Sequence, residues 1–111
     1  SSGDPALIFR ALGDATRYTI AGLIARAPMT SAELARRLAI AKPTMAHHLR
    51  ALRAAGLVLE EMQGTRIVLA LDRSVLEGLS EAAVAQLFGA PAEAPIRRSR
   101  NRASAARVPR R

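Results

Sequence analysis

The stretch Lys42-Pro43-Thr44-Met45-Ala46-His47-His48-Leu49-Arg50-Ala51-Leu52-Arg53-Ala54-Ala55-Gly56-Leu57-Val58 decides the fold. A proline in the first turn of a helix costs little, because the N–H it removes has no intrahelical acceptor. Met45, Leu49 and Leu52 recur at the spacing of one buried helical face. Gly56 is suited to the left-handed backbone that ends helices. The pattern predicts a helix over 42–55, followed at once by a strand, Leu57-Val58-Leu59-Glu60-Glu61-Met62. On the helix, Pro43, Thr44, His47, Arg50 and Ala51 fall opposite the buried face, and Lys42 stands at the N-terminus.

Upstream, Thr30-Ser31-Ala32-Glu33 reads as a capping box. The helix it opens turns Leu34, Ala35 and Leu38 inward and Arg36 and Arg37 outward, and the turn Ala39-Ile40-Ala41 follows. Asp14 caps an earlier helix that runs to Ala27, with Ile20, Leu23 and Ile24 on one face; Pro28 stops it, and Met29-Thr30 can form a short strand. Asp4-Pro5 starts the first helix and Gly13 ends it; its apolar face, with Leu7, Ile8, Ala11 and Leu12, has no evident partner within the chain. Downstream, Gln63-Gly64 forms a turn and Thr65–Leu71 a second strand, closing a β-hairpin. Ser74-Val75-Leu76-Glu77 reads as a second capping box, opening one helix that carries Val75, Leu76, Leu79, Ala83, Val84, Leu87 and Phe88.

Two short helices, a three-residue turn and an adjoining hairpin spell a winged helix-turn-helix. The fold expected is mainly α with a small β-hairpin, in the order α-α-α-α-β-β-α, over residues 4–89. In this shape the second helix of the pair, 42–55, fits the major groove of double-stranded DNA. The wing, 57–71, lies on the flanking backbone or minor groove. Lys42, Pro43, Thr44, His47, Arg50 and Arg53 are the expected contacts on the helix, and Thr65 and Arg66 those on the wing. Lys42 can reach a phosphate or a guanine edge, Thr44 a phosphate or a thymine methyl, and His47 a base edge. Arg66, beside the wing turn, suits a minor-groove or phosphate contact. His48 lies on the flank of the helix and reads as a partly buried structural residue. Glu60 and Glu61 would repel DNA if they faced it, so at least one is expected to point away.

Charge supports a division of the chain. Of 111 residues, 17 are Lys or Arg and nine Asp or Glu, a net +8. Residues 1–90 hold ten basic and eight acidic residues, whereas 91–111 hold seven arginines and one acid. The high pI therefore describes a nearly balanced body joined to a basic tail. The tail, 90–111, is rich in Pro, Ala, Ser and Arg, and has too few large apolar residues to order itself, so it is expected to be disordered. Its cations would add salt-sensitive, sequence-independent affinity for DNA or serve as a solubilising end.

A body of roughly 85 residues is at the size where one core barely suffices. Twenty-four alanines, two phenylalanines, one tyrosine and no tryptophan make that core thin, which leaves room for a second chain to complete it. No cysteine is present, so disulfides, thiolate metal sites and a Cys nucleophile are excluded. No apolar run is long enough to span a membrane, and the N-terminus lacks a signal-peptide layout; a cytoplasmic location is expected. Ser1-Ser2-Gly3 reads as a cloning remnant or as a cut within a longer chain. No Ser/His/Asp set, Gly-rich phosphate loop or paired carboxylates at helical spacing suggest an enzyme. The competing reading is a winged-helix module that binds protein, with the tail as a docking arm.

Ala11-Leu12-Gly13-Asp14-Ala15-Thr16-Arg17-Tyr18-Thr19-Ile20, Glu33-Leu34-Ala35 and the Lys42–Val58 stretch together resemble the ArsR/SmtB family of bacterial transcriptional regulators, over about Asp4 to Phe88. The resemblance implies a homodimer joined through the first and last helices, and repression by operator occupancy, commonly relieved by a ligand or metal. The metal-sensing residues do not carry over. The thiolate site would need Cys at Thr30 and Ala32; the last-helix site keeps Asp72, but Ser74 replaces its His and no later His follows. Neither metal nor cofactor is therefore expected, and the resemblance names no inducer.

Overall fold

The computed structural model describes residues 4–89. The expected tail, 90–111, lies outside the described residues. Helix α1 (Pro5–Leu12) begins where the Asp4 carboxylate accepts the Ala6 N–H at 3.1 Å. It packs on α2 (Ala15–Arg26) and on α4 (Lys42–Ala54), burying Ile8 and Ala11. The inner face of α1 thus does find partners in its own chain, contrary to the sequence expectation, because α2 and α4 converge beneath it. Leu7 and Phe9 stay exposed.

Asp14 accepts the Arg17 N–H at 3.1 Å and caps α2, which buries Ile20, Ala21 and Ile24. After Pro28, Met29 pairs with Leu69 through two backbone hydrogen bonds, 3.1 and 2.7 Å, an isolated bridge of one residue where a short strand over Met29-Thr30 was expected. Thr30 caps α3 (Ser31–Leu38) with the full capping box. The Thr30 hydroxyl accepts the Glu33 N–H at 3.1 Å, and Glu33 Oε1 accepts the Thr30 N–H at 2.8 Å.

Helices α3 and α4 end in the same way. After α3, Ile40 N–H donates to the Ala35 carbonyl at 2.9 Å and Ala39 N–H to that of Arg36 at 3.3 Å. After α4, Leu57 N–H donates to Leu52 at 3.1 Å and Gly56 N–H to Arg53 at 2.9 Å. Both are Schellman endings with one left-handed residue. That residue is Gly56 (φ 78°) after α4 and Ala39 (φ 55°) after α3. Leu52 and Leu57 are fully buried, as this ending favours.

Because Leu57 belongs to the helix ending, β1 (Val58–Gln63) starts one residue later than expected. It pairs antiparallel with β2 (Arg66–Leu71), Val58 opposite Leu71 and Gln63 opposite Arg66. The two turn residues are therefore Gly64 and Thr65, not Gln63 and Gly64. Gly64 takes the positive φ (66°) at the first turn position, which two-residue hairpins favour for glycine. At the base of the hairpin, Asp72 N–H donates to the Leu57 carbonyl at 2.8 Å.

The expected capping box at Ser74–Glu77 is not formed. Asp72 is the cap instead: its Oδ1 accepts the Ser74 N–H at 3.1 Å and the Ser74 hydroxyl at 2.7 Å, and Ser74 lies inside α5, past the cap position. Glu77 turns to Arg73 at 2.8 Å. The last helix is also interrupted. Gly78, a poor helix residue, separates α5 (Arg73–Glu77) from α6 (Leu79–Phe88). The core lies between α2, α3, α4 and β2, around Ile20, Ile24, Leu34, Leu49, Leu52 and Leu69. Among the described residues no helix is long and apolar enough to cross a membrane.

Candidate nucleic-acid interface

Helix α4 is seated by three side chains. Met45, Leu49 and Leu52 are buried to within about one per cent, which fixes the rotation of the helix and so what it presents outward. Lys42, Pro43, Thr44, His47, Arg50 and Arg53 are all exposed. Ala51, placed on the same outward face by the sequence, is half-buried, so the outward row is narrower than 100° spacing suggested. Ala41 gives α4 no side-chain cap, so no side chain takes up its first-turn N–H groups. Ser31, Ala32 and Ala35 of α3, with Lys42, Met45 and Arg53 of α4, border an open groove of about 340 Å³.

The wing stands beside α4. Thr65 and Arg66 are exposed at its tip. Two ion pairs tie this hairpin to the helices. Arg53 Nε of α4 donates to Glu60 Oε2 of β1 at 2.7 Å. Arg66 Nη2 of β2 donates to Glu33 Oε2 of α3 at 3.0 Å. Neither pairing was read from the sequence, which weighed Arg53 and Arg66 as DNA contacts or solvated side chains; opposite charge was the available signal, but nothing local joins residues on different elements. Glu60 is thereby turned to Arg53, itself one of the expected DNA contacts. The Thr30 N–H bond, with the adjacent Arg66 guanidinium, holds the Glu33 carboxyl below its ordinary range.

His48 is half-buried, as expected, and its neighbour is Arg17. The Arg17 guanidinium donates to the Ala11 carbonyl at 2.7 Å and to that of Arg10 at 3.5 Å, and reaches His48 Nδ1 at 3.4 Å. Arg17 therefore joins the end of α1 to the flank of α4. The Arg17 N–H, and then the Arg17 charge, hold the Asp14 carboxyl below its ordinary range. Thr30 and Asp72, two positions of the metal sites implied by the resemblance, act here as helix caps. Among the described residues no three His, Asp or Glu side chains converge to hold a metal ion.

A rotationally fixed helix with an outward polar row, and a hairpin clasped beside it, define a winged helix-turn-helix protein. The helix-turn-helix domain family matches residues 8–61. The chain is 39% identical over 75 residues to the HTH-type transcriptional regulator Rv2034 of Mycobacterium tuberculosis, covering 68% of this chain and 70% of that protein. It is 33% identical over 70 residues to the transcriptional repressor SdpR of Bacillus subtilis, covering 63% and 78%. Among solved structures it is similar to an ArsR-like transcriptional regulator from Rhodococcus sp. RHA1, with a TM-score of 0.65 and 30% identity over 75% of this chain and 91% of that one. The chain belongs to the ArsR-like family of winged helix-turn-helix transcriptional regulators.

Proposed function

We propose that this protein is a homodimeric, sequence-specific DNA-binding repressor of the cytoplasm, with no catalytic activity of its own. Helix α4 enters the major groove, with Lys42, Thr44 and His47 toward base edges and phosphates and Pro43 against the groove wall. Arg50 and Arg53 lie along the backbone, and Thr65 and Arg66 carry the wing to the flanking phosphates or minor groove. The observation that carries this reading is the exposed polar row of α4 beside a wing whose tip offers Thr65 and Arg66. Relatives whose names record transcriptional regulation and repression support it. The dimer is supported by apolar side chains left uncovered on α1 and α6: Leu7, Phe9, Val84, Leu87 and Phe88.

Fluorescence anisotropy of the chain on random and selected duplexes, over a salt series, tests the reading. Steep salt dependence and a preferred sequence are expected; no binding at about 50 mM salt would overturn it. His47→Ala should remove about 1–3 kcal/mol of discrimination between selected and random duplex, whereas Arg66→Ala should weaken both to the same degree.

A further inference from the structure

The cations around the reading helix divide into two sets. Lys42 and Arg50 are exposed and, among the described residues, pair with no carboxylate. Arg53 and Arg66 each hold a glutamate, and each pair crosses from the helix-turn-helix to the wing. We infer that Glu33 and Glu60 are positioning residues: they hold Arg66 and Arg53 in internal ion pairs, and DNA phosphates must take the arginines from them. This rests on the DNA-binding reading above.

Three features carry the inference. The four side chains are 36–54% exposed, so both pairs are solvated and can open easily. Each pair is made through one guanidinium nitrogen, and the anionic oxygens of a phosphate accept the same charge-assisted hydrogen bond as the carboxylate they would replace. Glu33 also separates its two tasks by atom. Oε1 keeps the cap of α3 while Oε2 holds Arg66, so Arg66 can leave without uncapping the helix. The glutamates thus set the wing against α3 and α4 before DNA arrives. They also subtract from every phosphate contact the two arginines make, on any sequence. Loose binding to random DNA is weakened, while base contacts from His47 are untouched.

Glu60→Gln and Glu33→Gln test this in the full chain, since glutamine keeps the shape and, at Glu33, an oxygen for the cap. Each variant is expected to bind random duplex about three- to tenfold more tightly at about 100 mM salt, with a salt slope steeper by about one. The same changes made in Arg53→Ala and Arg66→Ala backgrounds, respectively, should gain less than about twofold, since no arginine remains to be released. An equal gain without the arginine would mean that the glutamates merely repel DNA and would overturn the inference, as would no gain at all. Failure of the parent chain to bind any duplex would instead overturn the DNA reading, and this inference with it. Circular dichroism and thermal melting of each variant should match the parent within a few degrees.

Discussion

Helices α4 and α6 are of similar length and are finished differently. Helix α4 buries Met45, Leu49 and Leu52 against its own chain and shows solvent a row of polar groups. Helix α6 buries only Ala83, and leaves Leu87 80% and Phe88 78% exposed. The sequence of α6 is the more apolar of the two, yet it is the less buried. Apolar content alone therefore does not say where the core of one chain lies. What matters is whether the chain supplies the opposing surface: α1, α2 and α3 do so for α4, and a second copy is proposed to do so for α6.

The sharpest way to break this contrast is Leu87→Asp. In a two-fold interface each substitution counts twice, at about 1.5–3 kcal/mol of lost burial per copy. Dimerisation should weaken at least about a hundredfold, read by sedimentation, while the folded monomer is little changed. A parent chain that sediments as a monomer at every concentration would remove the contrast altogether. Next in size is Leu52→Ala at the seat of α4. It should cost about 2–5 kcal/mol in urea unfolding, since the surroundings of a fully buried leucine cannot collapse onto the void. A cost below about 1 kcal/mol would mean that α4 is not held by its own chain.

The smallest effect is a dependence on pH confined to the α4 half. Asp14 and Glu33 both have carboxyl values lowered by folding. The stability they contribute is complete above the ordinary carboxylate range, near about pH 4, and is lost as pH falls through their folded values. Asp14→Asn and Glu33→Gln should therefore each flatten the fall in stability between about pH 5 and pH 3. Urea midpoints measured across that range check it; an unchanged slope would show that these caps do not couple folding to protons.

The α4 half was the more legible in sequence, for a physical reason. The Met45-Leu49-Leu52 face, the exposed Thr44, His47 and Arg50, the Thr30–Glu33 box and the Gly56 ending are all set within one or two helical turns. The Asp72 cap was missed because Ser74 and Glu77 have the right spacing for a box, while Asp72, two residues closer to the strand end, holds the cap position and accepts the Ser74 hydroxyl. The hairpin turn was displaced by one residue because register is a property of two strands, not of the turn dipeptide. The Arg66–Glu33 and Arg17–His48 contacts join residues 33 and 31 positions apart, and no local period encodes them.

The two Schellman endings carry one last consequence. Alanine in left-handed backbone costs about 1–2 kcal/mol, where glycine costs almost nothing. Yet Ala39 stands in the turn that joins α3 to α4, and Gly56 in the ending after α4. Alanine has a narrow left-handed well and glycine a broad one, so the α3–α4 turn is the stiffer hinge. The turn therefore leaves the backbone between the two helices fewer conformations to choose among than a glycine would. Little ordering remains for the moment of contact, and the speed of encounter is left to diffusion and the long reach of charge.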